Sequence, residues 1–136
     1  MVGWLLDRFL RCSGHYAGGI KRAERTGDAM AAYSFIVLTN CTPGSDEEFN
    51  RWYDDVHLEE VVAINGISSA VRGDVAVSLG GGEEYRYAAI YEIDSDDPQA
   101  VLDDLQARAS DGRMNVSSTL ATAAYFMMKK ERAYPG

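Results

Sequence analysis

Within the stretch EEFNRWYDDVHLEEVVAING, residues 47–66, three side chains suited to moving protons follow one another at helical spacing: Tyr53, His57 and Glu60. An unperturbed histidine titrates at about pH 6.5, so it takes or gives a proton near neutrality, and a neighbouring phenol or carboxyl can orient it or stabilise an enolate. His57 is one of only two histidines in the chain. The other, His15, falls in an irregular arm rich in glycine and charge, and reads as solvent-exposed.

On a helix advancing about 100° per residue, Phe49, Tyr53, Val56, Glu60 and Ile64 share one face. Trp52 and Ala63 flank one side of that face and His57 the other, while Arg51, Asp54, Asp55 and Leu58 point elsewhere. A carboxylate amid an apolar stripe is costly unless it is hydrogen-bonded, protonated or turned toward a cavity. Two accounts of Glu60 follow. Either the helix bends or breaks near Leu58, so that Glu60 begins a second short helix and reaches water, or Tyr53, His57 and Glu60 are catalytic groups lining a pocket between this helix and a sheet. The bland reading of His57 is a hydrogen-bonded structural residue at the helix rim.

The elements that must position these groups follow from local pattern. AAYSFIVLTNCT, starting at Ala31, is β-branched and aromatic with little charge and predicts a first strand, ended by the turn residues TPGSDEE. Ser45 with Glu48 three residues on forms a capping-box pattern, and Asp46 and Glu47 suit the positive end of a helix dipole, so a helix is expected from there toward Ile64. GISSAVRGDVAVSL and YRYAAIYEID flank GGGEE and predict an antiparallel hairpin. Asp97–Pro98 starts a second helix carrying Val101, Leu102, Leu105 and Ala109 on one face, and Gly112 stops it. STLATAAYFMMKKE predicts a last strand. The order β-α-β-β-α-β is that of the α+β ferredoxin-like fold, which lays both helices on one face of a four-stranded antiparallel sheet. Both sheet faces are apolar: Phe35, Val37, Tyr87, Ala89, Tyr91, Ala123 and Tyr125 on one parity, Ile36, Leu38, Ile90, Ala124 and Phe126 on the other. An uncovered apolar face implies a homodimer, sheet against sheet. Tyr85, Tyr87 and Tyr91 share a parity on one strand and read either as pocket walls or as sheet packing.

Composition bounds the rest. A chain of 136 residues with 46% hydrophobic side chains buries one core. Residues 1–29 carry five Lys/Arg against three Asp/Glu, a net +2, so with the chain at −8 the remainder carries −10. Residues 1–30 are therefore expected to be an N-terminal extension, poorly ordered or the product of a misassigned start codon with Met30 as the natural start. The folded domain is expected over residues 31–132, with a tail at 133–136. The negative charge argues against nucleic acid and an anionic membrane surface as partners. No apolar run approaches the roughly 20 residues that cross a bilayer, which predicts a cytoplasmic protein. Cys12 and Cys41 lie far apart without a ligand spacing, so neither metal nor disulfide is expected. LGGGEEY lacks the lysine and following helix of a phosphate loop, so no nucleotide cofactor is implied. DSDDPQAVLDD lacks the glycine and terminal glutamate of a calcium loop.

FNRWYDDVHLEEVVAINGISSAVR, residues 49–72, resembles the first-helix motif of the EthD-like family of the dimeric α+β-barrel superfamily, where W-Y-x-x-x-H precedes a leucine and usually a proline. Glu59 stands where that proline is usual, and Asn65 where another often precedes the glycine. The resemblance covers residues 33–130 in architecture. It implies the β-α-β-β-α-β unit dimerised through its sheets, with His57 as the recurrent polar residue of a pocket. Relatives in that superfamily include muconolactone isomerases, polyketide cyclases and dehydratases, and cofactor-independent monooxygenases. By resemblance the ligand is small, planar and largely apolar (aromatic, quinone-like or lactone-like), His57 is its acid or base, and Trp52, Val56, Phe35, Tyr87 and Tyr91 contact it. Two other readings stand beside this one: a noncatalytic carrier or accessory protein of an oxygenase system, and a haem-binding protein ligating iron through His57.

Overall fold

The computed structural model describes residues 32–135, so the expected extension at 1–30 lies outside the described residues. Four strands and two helical segments follow in the predicted order: β1 (Tyr33–Cys41), a first helix in three parts, β2 (Ile67–Asp74), β3 (Tyr87–Ile93), α3 (Pro98–Asp111) and β4 (Leu120–Lys129). The strands form one antiparallel sheet in the order β2-β3-β1-β4. This is the ferredoxin-like topology, with β2 and β4 at the edges.

Strand periodicity assigns the two sheet faces. On β1, Phe35, Val37 and Thr39 point to the helices and are buried, opposite Tyr91, Ala89 and Tyr87 of β3. These residues and Phe49, Val61, Ile64, Leu102 and Leu105 of the helical layer make one core. The alternate residues face away from the helices, and no element covers them among the described residues. On that open face Val71, Ile90, Phe126 and Met128 are 72%, 41%, 55% and 48% exposed.

Two local expectations change. The hairpin strand read to Leu79 ends at Asp74, and the last rung runs from the Val75 N–H to the Arg86 carbonyl at 2.8 Å. Gly80, Gly81 and Gly82 all have positive φ, which no extended ladder accommodates, so the connection becomes a long exposed loop. At the first helix, Ser45 occupies the N-cap but its hydroxyl makes no capping bond. The Asp46 carboxylate instead accepts from the Tyr87 hydroxyl and pairs with Arg86, which fastens the helix start to β3. The second helix behaves as read: Asp97 accepts from the Ala100 N–H at 3.1 Å, and Gly112 ends it in the left-handed region at φ 86°. Among the described residues no helix is long and apolar enough to cross a membrane.

Candidate functional site

The first helix neither breaks at Leu58 nor runs straight. It consists of α1 (Asp46–Trp52), a π-helical turn (Tyr53–His57) and α2 (Leu58–Val62). The turn is closed by the Leu58 N–H donating to the carbonyl of Tyr53, five residues back instead of four. One extra residue in a turn sets everything downstream back by about 100°. Val61 thereby takes the inward place a straight helix would give Glu60, and it is 2% exposed. His57 moves from the flank onto the inward face.

His57 joins a cavity of about 50 Å³ between the helical layer and the sheet. The sheet supplies Phe35, Val37 and Thr39 of β1, Tyr91 of β3, and Leu120 and Tyr125 of β4. The helices supply Trp52, Tyr53, His57 and Val61, with Leu105 from α3. The indole of Trp52 stacks on the imidazole with ring centres 4.5 Å apart, and Tyr53 meets the same imidazole edge-on at 4.9 Å. Beside the cavity, the Tyr53 and Tyr91 hydroxyls are hydrogen-bonded at 3.0 Å. The Nδ1 atom of His57 is buried and has no hydrogen-bond partner among the described residues.

Of the side chains expected at the site, the structure brings together His57, Tyr53, Trp52, Phe35 and Tyr91, and leaves out Glu60, Val56 and Tyr87. Glu60 is turned aside by the π turn and accepts from the backbone N–H of Asn115 at 3.1 Å. The carbonyl of Asn115 accepts from the Trp52 indole N–H at 2.8 Å, so both backbone groups of this loop residue are clasped by the first helix. Val56 lies within the π turn, half-buried, and does not line the cavity. Tyr87 is buried but points to the helix start, where its hydroxyl meets Asp46 and Asn50.

Arg72 was not anticipated. It shares the helix-facing parity of β2 with Ala70, opposite Ala89, and its side chain is only 7% exposed. Its guanidinium lies 4.3 Å from the Tyr53 ring centre, 5.1 Å from that of Tyr87 and 5.7 Å from that of Phe49. It donates to Asp54 at 2.8 Å and to Asn50 at 2.6 Å, tying the edge strand to α1 and the π turn. The sequence offers one signal for it: a cation on the inward parity of a strand.

These surroundings set the protonation states. Burial, helped by the nearby Arg72 cation, pushes the His57 pKa down to about 4, so the imidazole is neutral at pH 7. The ordinary value assumed from sequence therefore does not apply. Burial pushes Tyr53 and Tyr91 above the usual phenol range, and Tyr125 up to about 12. The site thus holds a neutral imidazole and neutral phenols in an aromatic wall.

No family model matches the chain, and no curated protein matches it in sequence. Solved structures do resemble it. The haem-degrader MhuD of Mycobacterium tuberculosis, with two haems bound in its active site, is 14% identical over 74% of this chain and 97% of that one, with a TM-score of 0.53. A monooxygenase from the gene ActVA-Orf6 of Streptomyces coelicolor, in complex with Nanaomycin D, is 11% identical over 78% of this chain and 93% of that one, with a TM-score of 0.52. An EthD family protein of Bacillus halodurans is 14% identical over 73% of this chain and 98% of that one, with a TM-score of 0.44. At these identities the likeness to the first two establishes the fold alone, the ferredoxin-like fold that the helix motif implied.

Arg72 yields a direct test. Arg72→Met removes the cation stacked on Tyr53 and leaves Asn50 without its donor, and is expected to cost about 1–3 kcal/mol of folding stability. Arg72→Lys is expected to recover only part of this, because a single ammonium cannot serve Asp54 and Asn50 as the guanidinium fork does. Urea denaturation of the three proteins checks it; equal midpoints would show that Arg72 holds nothing together.

Proposed function

We propose that this protein binds a small, planar, largely apolar molecule, aromatic or quinone- or lactone-like, between its helical layer and sheet. His57 then moves a proton on that molecule in a cofactor-independent isomerisation, cyclisation, dehydration or oxygenation. One observation carries this reading: the buried, unpartnered Nδ1 of an imidazole that borders an otherwise mainly aromatic and aliphatic cavity. A buried polar atom left unsatisfied costs about 1–3 kcal/mol, which a hydrogen-bonding ligand recovers. Because the imidazole is neutral, it begins the reaction as proton acceptor, and negative charge developing on the ligand raises its affinity for the proton.

The cavity is small for such a ligand. An engineered cavity of about 150 Å³ holds benzene, against about 50 Å³ in this protein. A ring therefore needs a wall to move, and on this reading it is the half-buried Trp52, which would leave the face of His57 and release the Asn115 carbonyl. Trp52 is half-buried, so this movement starts from the rim, although it also loosens the indole from Phe49 and Tyr53. A haem macrocycle would need a far larger opening than a single ring, so the smaller ligand is the reading proposed and haem ligation by His57 stands as the alternative. The two relatives of highest structural similarity reported above are described with bound small molecules, haem and Nanaomycin D respectively, which supports a small-molecule role on this fold. A noncatalytic carrier would use the same pocket without turnover.

The open sheet face fits a second copy of the chain. Val71 of β2, Ile90 of β3, and Phe126 and Met128 of β4, with Ile36 of β1 between Ile90 and Phe126, form an apolar surface of the kind that marks an interface.

Two measurements test these statements. Thermal-shift screening with small phenols, quinones and lactones is expected to find a compound that stabilises the wild type, because binding to the native state raises the melting point. His57→Ala is expected to abolish conversion of that compound while retaining saturable binding; conversion that survives in the variant would remove His57 from the mechanism, and binding without conversion in the wild type would favour the carrier. Light scattering is expected to give the mass of two chains for the wild type and of one chain for Phe126→Glu. A monomeric wild type would overturn the dimer.

A further inference from the structure

The hydroxyls of Tyr53 and Tyr91 carry two protons, and the bond between them uses one. Whichever tyrosine accepts is left with its own O–H to place. Among the described residues neither hydroxyl has another hydrogen-bond partner. Both residues are closed to solvent, Tyr53 3% and Tyr91 1% exposed, so bulk water does not receive that proton. Both line the cavity, and the cavity is where an acceptor can sit. Burial keeps both phenols protonated, so the pair acts as a donor and not as a base. The Arg72 guanidinium over the Tyr53 ring, 4.3 Å from its centre, favours electron density at the phenol and steadies any negative charge gathering nearby.

We propose that the Tyr53–Tyr91 hydroxyl pair is an oxygen-binding subsite, which presents one O–H to the ligand and so selects carbonyl compounds and phenols whose oxygen lies there while an acidic C–H or O–H faces His57. This rests on the reading of the cavity given above. For a carbonyl compound the step balances without any further reactant. His57 takes the proton from the carbon beside the carbonyl, the C–H electron pair moves into the new C=C bond, and the carbonyl π pair moves onto oxygen. The enolate oxygen stays on the tyrosine O–H, whose hydrogen bond strengthens as charge develops, and the imidazolium returns the proton to the same carbon, or, where a further C=C is conjugated with the enolate, to the far end of that dienolate, which moves the double bond. Neither tyrosine loses its proton. The pair offers a fixed donor in a cavity of low polarity, where a donor is worth most to an oxygen that becomes charged during the reaction.

The test uses acetophenone carrying a ¹³C-labelled carbonyl, with binding followed by thermal shift and the bound carbonyl stretch by isotope-edited infrared spectroscopy. In the wild type the stretch is expected to fall below its value in an alkane solvent. Tyr53→Phe and Tyr91→Phe each leave one hydroxyl and are expected to retain part of the fall. Tyr53→Phe/Tyr91→Phe is expected to return the stretch to the alkane value. A probe that saturates the wild type with an unshifted carbonyl would overturn the oxygen subsite alone, as would a shift that persists in the double variant. Failure of the probe to bind the wild type would overturn the reading of the cavity and the subsite with it. Should the double variant not fold, the single variants decide: a stretch unchanged from the wild type in both Tyr53→Phe and Tyr91→Phe would overturn the subsite.

Discussion

The five residues Tyr53–His57 close their backbone over five residues instead of four, and the candidate site follows from that one irregularity. A regular helix over this sequence would put Glu60 against the sheet and His57 at the rim. The inserted π turn exchanges them: Val61 fills the core, Glu60 swings to the side where the Asn115 N–H meets it, and the imidazole turns into the cavity. π turns have poorer backbone geometry than the surrounding helix and tend to occur where a side chain is being aimed. Here the turn is held from outside, by Arg72 reaching across from β2 to Asp54 and Asn50, and by the packing of Phe49, Trp52 and Tyr53 upon one another.

Low polarity is the second constraint. Once His57, Tyr53 and Tyr91 are enclosed by aromatic and aliphatic walls, each favours its neutral form: the imidazole sheds its proton and the phenols keep theirs. The same burial that makes the fold compact therefore separates an acceptor from a donor across one small space. Trp52 connects this interior to the surface, stacking on His57 on one side and holding the Asn115 carbonyl on the other. The loop after α3, the π turn and the cavity rim are thus joined through two side chains of the first helix.

Element order and sheet parity were legible in the sequence, because strand alternation and helix stop signals are local properties. Phe35 and Tyr91 share one parity for that reason and stand opposite each other on β1 and β3. The register beyond Trp52 was misread, since a wheel at a constant turn assumes the helix that the residues then depart from. A signal was present: Phe49, Tyr53, His57 and Val61 recur every four residues, an interval longer than the α-helical turn of about 3.6 residues and one that an inserted residue accommodates. Arg72 was passed over because a cation on an edge strand ordinarily faces water, and its burial depends on an aromatic cluster assembled from both α1 and β3. The bond between Tyr53 and Tyr91 spans 38 residues of chain and depends on how helix packs on sheet, which no local pattern encodes.

The most direct test of the account is the titration of His57 by NMR, following its ring signals from pH 8 to pH 3 with His57→Gln to assign them. The structure predicts a midpoint at about pH 4, below the ordinary histidine value of about 6.5. Between those two values the unfolded chain binds a proton that the folded chain refuses, so folding stability falls as the pH is lowered through that window, and this contribution is absent in the glutamine variant. A midpoint near 6.5 with no such loss of stability would place His57 in solvent at the helix rim, and would contradict the turned register on which the site depends.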